Sequence, residues 1–153
     1  MRVRLVWVGR TRNEHVRALV ADYLERLARF TRCEVTEVRE SAAATDRAIL
    51  AEEGRRLAAA LKPDAFVVLL DVAGEQWSSP ELAAALGRWE VRGLKEVAFV
   101  VGGHLGVSAE VKARADVRWS LARLTLTHEL ARVLLVEQLY RAYTIARGLP
   151  YQK

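Results

Sequence analysis

The chain has 153 residues, 52% of them hydrophobic and 28% charged, with a single cysteine. That composition supports one compact domain, 1–153, with an ordinary core, and it excludes a disordered chain, a coiled coil and a disulfide scaffold. Lysine and arginine number 24 against 19 acids, and the net charge of +5 suits an anionic partner without proving one.

Met1 to Leu5 lacks the apolar stretch and cleavage site of a signal peptide. Arg2 to Gly9 alternates Val3, Leu5 and Trp7 with Arg4, Val6 and Val8, a strand that ends at a glycine. Asn13 is a good N-cap for a helix with the apolar stripe Val16, Leu19, Val20, Tyr23, Leu24 and Leu27. Cys33 to Val38 is a weaker strand. Thr45 caps a helix carrying Ile49, Leu50, Leu57 and Leu61, which stops before Pro63. Ala65 to Leu70 is continuously apolar, as in a parallel strand buried on both faces.

Ser79, Pro80 and Glu81 read as N-cap, first-turn proline and first-turn acid of a helix through Trp89. Val97 to Val101 is a second fully apolar strand, running into Gly102 and Gly103. Ser108 opens a short helix, and Val117 to Leu121 is a short strand. The last helix starts near Thr127, carries Leu130, Val133, Leu134, Glu137 and Ile145 as its inward stripe, and stops at Gly148 and Pro150. Strands alternating with helices predict an α/β fold with a mostly parallel sheet flanked by helices. Ligands in such folds bind beyond the carboxyl ends of the strands, which selects the loops after Leu70, Val101 and Leu121.

The surplus charge sits at the two ends. Residues 1–40 hold 9 bases and 6 acids, 41–100 hold 7 and 9, and 101–153 hold 8 and 4. No apolar run nears the roughly 20 residues of a membrane span, so no membrane partner is expected. With one thiol, Cys33, the chain fits a reducing compartment, and a cytoplasmic location is expected.

Gly102-Gly103-His104-Leu105-Gly106 has neither dinucleotide-binding nor P-loop spacing, and reads as a tight turn or as one wall of a small-molecule pocket. Trp119 to His128 follows no clear period. It is either a plain connection or a backbone wall whose leucines sandwich a flat ring. His128 and Arg132 share a helix face at i, i+4, as a surface pair or as two polar groups aimed at a site. Glu137 has Arg141 as an available partner. Tyr151-Gln152-Lys153 is either a frayed end or an aromatic and cationic clamp. No His, Cys, Asp and Glu grouping has metal-ligand spacing, and no nucleophile elbow is present, so no metal and no covalent catalysis are expected.

The segments FVVGGHLGVS and WSLARLTLTHELARVLLVEQLYRAYTIARGLPYQK, with RLVWVG and LLDVAGEQWSSPELA before them, resemble the RlmH family along nearly the whole chain. These are SPOUT-class methyltransferases acting on N3 of a pseudouridine in large-subunit ribosomal RNA. The resemblance implies a SPOUT-type α/β knot, with a C-terminal trefoil knot, and a homodimer with its active site near the dimer interface. It also implies S-adenosyl-L-methionine as cofactor and the assembled ribosome as substrate. Carried over by motif, the cofactor residues are Leu70, Gly102 and the run Leu121, Ala122, Arg123, Leu124, Thr125 and Leu126. Arg132 and Tyr151 are expected to orient the RNA, and His128 to handle a proton or serve structure. The chain departs from the family at Gln152, where histidine is usual, at Thr127, often proline, and at His104. The Gln152 departure favours the alternative of a knotted, non-catalytic RNA-binding assembly factor.

Overall fold

β1 (Arg2–Val8), α1 (Glu14–Leu27), β2 (Cys33–Val38), α2 (Asp46–Ala60) and β3 (Phe66–Gln76) form the first half of the computed structural model, which describes residues 1–151. α3 (Ser79–Val91), β4 (Glu96–Val101), α4 (Ala109–Arg114), β5 (Val117–Ser120) and α5 (His128–Ala146) complete it. Gln152, the departure with most bearing on catalysis, lies outside the described residues. The five strands form one wholly parallel sheet in the order β2-β1-β4-β3-β5.

Strand alternation sends successive side chains to opposite faces, so each buried strand supplies two cores. Val3, Leu5, Trp7, Val97, Phe99 and Val101 face α1, α3 and α5. Val6, Val8, Val67, Leu69, Ala98 and Val100 face α2 and α4. β4 is buried at all six residues: Val97 to Val101 is a continuous apolar run, and the buried Glu96 before it is paired with Arg4. Side chains fully enclosed here each contribute about 1.5–3 kcal/mol relative to exposure.

Polar side chains set the helix starts. Asn13 Oδ1 accepts from the His15 and Val16 amides, Ser108 Oγ from Val111 and Thr127 Oγ1 from Leu130. α3 is capped by Ser78 rather than Ser79. The Ser78 hydroxyl accepts from the Glu81 amide while Glu81 accepts from the Ser78 amide, a reciprocal box that sequence reading displaced by one residue.

Two further expectations change. β3 runs beyond Leu70 to Gln76, because an irregularity after Leu70 lets Glu75 and Gln76 pair again with Trp119 and Ser120 of β5. On α5 the buried residues are Arg132, Leu135, Val136, Leu139, Ala142, Tyr143 and Thr144, rather than the expected stripe. Leu130 is exposed and Glu137 only half-buried. α5 packs against both α1 and α3, so its apolar residues surround the axis and period alone picks no face.

Candidate functional site

The helices that follow β1, β3 and β5 lie on one face of the sheet, and those that follow β2 and β4 on the other. β4 sits between β1 and β3. Its outgoing loop therefore leaves in the opposite direction from both neighbours, and a crevice opens on each side of it. On the β3 side is a cavity of about 630 Å3, walled by the strand-end loops of β3, β4 and β5. On the β1 side is a smaller one of about 310 Å3.

Backbone forms much of the larger cavity's wall. A Cβ on Gly102 would lie 2.7 Å from the Gly106 carbonyl oxygen and 2.8 Å from Val107 Cγ1, so the loop folds onto itself only with glycine there. Gly106 has a positive φ of 87°, and its amide donates to the Gly103 carbonyl at 3.0 Å. Opposite, a Cβ on Gly74 would lie 2.6 Å from the Arg118 carbonyl. That close approach lets β3 return to β5 while Leu70 and Asp71 face the cavity. Asp71 is tied by its own turn, accepting from the Ala73 amide at 3.0 Å, and Arg118 stands 4.0 Å away.

The third wall follows β5. Ser120 Oγ donates to the Ala122 carbonyl at 2.8 Å and turns the chain toward α5. Leu121, Ala122, Leu124, Thr125 and Leu126 line the cavity together with Leu70 and Gly102. Arg123, expected among them, does not: its exposed side chain is outside the cavity lining. Leu124 is 75% exposed at the mouth and Val72, across from it, 58%. Two apolar side chains facing solvent over a mostly apolar cavity suit a flat ligand that covers them.

The three candidate catalytic residues do not converge within one chain. His128 lines both crevices, at the first turn of α5. Burial, then the charge of Arg132, holds its pKa below the ordinary imidazole value, so the neutral, proton-accepting form is favoured. Arg132 is completely buried: it donates to the Val8 carbonyl at 2.6 Å and to Thr11 Oγ1 at 2.9 Å, with its guanidinium carbon 4.8 Å from the Trp7 ring centroid. Enclosed in this way it cannot touch RNA, and the expected orienting role gives way to that of a strut. Glu129 reinforces it by accepting from the Arg12 and Asn13 amides at 3.3 and 3.1 Å. Burial works against that carboxylate, but the two amides and Arg132 hold its pKa below the usual range.

Tyr151 folds back onto the middle of α5. Its hydroxyl lies 3.0 Å from that of Tyr23 and donates to Glu137 Oε1 at 3.0 Å, while Arg141 covers its ring and binds the same carboxylate at 2.7 Å. Burial and these neighbours raise the phenol's pKa. Glu137 is nine residues along α5 from His128, about 14 Å at 1.5 Å per residue. The tail is thus anchored at Tyr151 rather than frayed there.

Sequence reading missed Lys112, which α4 brings to the cavity from four residues beyond Ser108. It also missed Glu53, a 4% exposed acid at the smaller crevice. Glu53 Oε2 accepts from the Ser41 amide at 3.0 Å, and Oε1 has no hydrogen-bond partner. An acid in the middle of an otherwise ordinary amphipathic helix carried no signal. Among the described residues no group of three or more His, Cys, Asp and Glu is placed to hold a metal. Among the described residues no helix is long and apolar enough to cross a membrane.

Comparison with known proteins agrees with this architecture. The family model described as "Predicted SPOUT methyltransferase" matches residues 1–152. A protein of Gloeobacter violaceus named ribosomal RNA large subunit methyltransferase H is 47% identical over 99% of this chain and 98% of its own. Proteins of the same name from Geobacter metallireducens and Streptococcus gordonii are 41% and 36% identical, covering 99% and 100% of this chain and 98% and 100% of their own. The solved structure of a probable methylase family protein from Haemophilus influenzae aligns with a TM-score of 0.54 at 13% identity, over 99% of this chain and 70% of that one, a likeness of fold alone. The sheet order, the strand-end cavity and the full-length match make this chain a member of the SPOUT methyltransferase family, of the branch whose relatives are named ribosomal RNA large subunit methyltransferase H.

Proposed function

We propose that this chain methylates N3 of a pseudouridine in large-subunit ribosomal RNA, using S-adenosyl-L-methionine, on the assembled ribosome and as a homodimer in the cytoplasm. The observation that carries the reading is the cavity walled by the backbones of three strand-end loops. Its size falls within the ~300–1,000 Å3 of ordinary cofactor sites. Gly102 keeps the wall free of a side chain, Leu70, Leu121, Leu124 and Leu126 suit an adenine ring, and backbone groups of the same loops suit its polar edge. The residues therefore fit the cofactor. Bound there, it supplies an activated sulfonium methyl group.

The transfer forms a bond from N3 to the methyl carbon and breaks the carbon–sulfur bond, and the N3 proton must leave. His128 is the group on this chain best placed to accept it, since it faces the cavity and its environment favours the neutral imidazole. The enzyme's further contribution is alignment, because an in-line approach of two held reactants lowers the barrier without a covalent intermediate. Arg132 and Glu129 serve that alignment indirectly, by fixing the β1–α1 loop to the helix that bears His128. Tyr151 lies far from its own chain's cavity, so an RNA-orienting role for it requires a second copy. That requirement favours the homodimer and an active site shared between copies. The family's trefoil knot belongs to the same proposal.

Labelled S-adenosylmethionine offered with intact ribosomes, free large subunits and naked RNA tests the reading. Incorporation into large-subunit RNA of intact ribosomes is expected. Binding of ribosomes without any methyl transfer would instead support the non-catalytic assembly factor.

A further inference from the structure

The cavity and the smaller crevice beside β4 share Gly103, His104 and His128 as common wall. That crevice in turn shares Arg12 and Glu40 with a third depression of about 860 Å3, at the ends of β1 and β2 and the start of α1. The three thus lie in a row along the carboxyl edge of the sheet as one stepped trough, with the Arg12–Glu40 ion pair between the second and the third.

The far end of this trough is cationic. Arg10, Arg12, Arg17 and Arg39 line it against two acids, Glu37 and Glu40. Both acids are engaged: Glu40 pairs with Arg12 at 2.8 Å, and Glu37 accepts from the Trp7 indole at 3.1 Å. Arg10, Arg17 and Arg39 are exposed and make no ion pair among the described residues; Arg47, Arg55 and Arg88 are equally unpaired there but line none of the three depressions. Beneath them the groove has an apolar floor of Val20, Leu24 and Val35. Like charges around a low-dielectric concavity reinforce each other's field, and guanidinium forks match phosphate oxygens. The loop bearing Arg10 and Arg12 is held from α5 through Glu129 and Arg132, so these cations are presented from a fixed position.

We propose that this arginine-lined groove holds phosphates of the RNA strand flanking the target nucleotide, and that the trough leads the strand from there to the methyl-transfer cavity. The inference rests on the ribosomal RNA reading above. It accounts for features the cofactor site leaves unused: three unpaired arginines in one concavity, and a row of adjoining depressions that ends at His128.

Two variants of equal charge test it. One replaces Arg10→Gln, Arg17→Gln and Arg39→Gln together; the other replaces the exposed Arg47→Gln, Arg55→Gln and Arg88→Gln on α2 and α3. The groove variant is expected to raise the KM for intact ribosomes by roughly tenfold or more, with S-adenosylmethionine affinity unchanged. Its dependence of log KM on log salt should flatten by about 2, from three contacts at about 0.7 each on single-stranded RNA. The α2/α3 variant should show little of either effect. Equal shifts in both variants, or none in the groove variant, overturn the proposal. If the wild-type protein methylates no RNA, the functional reading fails separately. Equilibrium binding of a single-stranded RNA oligonucleotide to the same variants then decides the groove. A groove variant that loses poly-glutamate binding but keeps RNA binding assigns the groove to an acidic protein and also overturns it.

Discussion

The guanidinium of Arg132 donates to the carbonyl oxygen of Val8 at 2.6 Å and so fastens the second turn of α5 to the last residue of β1. The same group donates to Thr11 Oγ1, so one enclosed side chain satisfies two acceptors on either side of the β1–α1 turn. Replacing it with leucine leaves both acceptors unpaired in a dry site. Arg132→Leu is expected to cost about 3 kcal/mol, the usual penalty for breaking a buried charged hydrogen-bond set, and Thr11→Val about 1 kcal/mol. Urea denaturation midpoints measure both. An Arg132→Leu midpoint equal to wild type would mean that the strut carries no load.

Gly102 and Gly87 give opposite expectations for the same change. An added methyl at Gly102 meets a carbonyl oxygen at 2.7 Å, whereas at Gly87, in α3, nothing lies within 4 Å. Gly102→Ala should displace the loop and weaken S-adenosylmethionine binding by about tenfold or more, a cost of at least about 1.4 kcal/mol. Gly87→Ala should stabilise the fold by roughly 0.5–1 kcal/mol through helix propensity and leave that affinity unchanged. Titration calorimetry and thermal melts on the pair separate the two effects.

The sheet was legible because Val97 to Val101 of β4 and the first half of β3 are short, valine-rich apolar runs, the pattern of a strand buried on both faces. The strand-end rule then chose, without any resemblance to a known family, the three loops that wall the cavity. What sequence could not convey was direction around a helix that packs on two sides. Arg132 scored as a polar, accessible position because its acceptors, at Val8 and Thr11, lie over a hundred residues away along the chain. Arg123 sat in an unbroken motif with its neighbours, and only the turn set by Ser120 points it outward. The continuation of β3 past Leu70 depended on Gly74 meeting the β5 backbone, a contact with no local signature.

His128 predicts a pH dependence whose sign follows from its environment. Burial and Arg132 lower its pKa below the ordinary value of about 6.5. The neutral form therefore predominates above that value, and methyl transfer should be flat there and decline only as pH falls further. Stability moves the same way: the unfolded chain takes up this proton at higher pH than the folded one, so stability is lost as pH falls through the window just below about 6.5. His128→Gln is expected to lower the methylation rate by about 100-fold, the usual scale for a lost general base, and to abolish the acid limb. A pH–rate profile for His128→Gln that keeps the limb would assign proton removal to another group.

Tyr151 supplies the test of a site shared between copies. Its hydroxyl is held between Tyr23 and Glu137, its ring packs edge-on against Tyr140 at 4.7 Å, and none of these residues borders the cavity. Tyr151→Phe keeps the packing and loses the hydroxyl, whereas Tyr151→Ala loses both, so methylation should fall in that order while thermal stability reports the packing loss separately. The decisive measurement mixes two impaired proteins, Tyr151→Ala and His128→Gln, under conditions that exchange subunits. If the tyrosine of one copy serves the cavity of the other, a mixed dimer carries both lesions in one site and leaves the second site intact, and activity returns. If each chain uses its own tyrosine, every site keeps a lesion and mixing restores nothing.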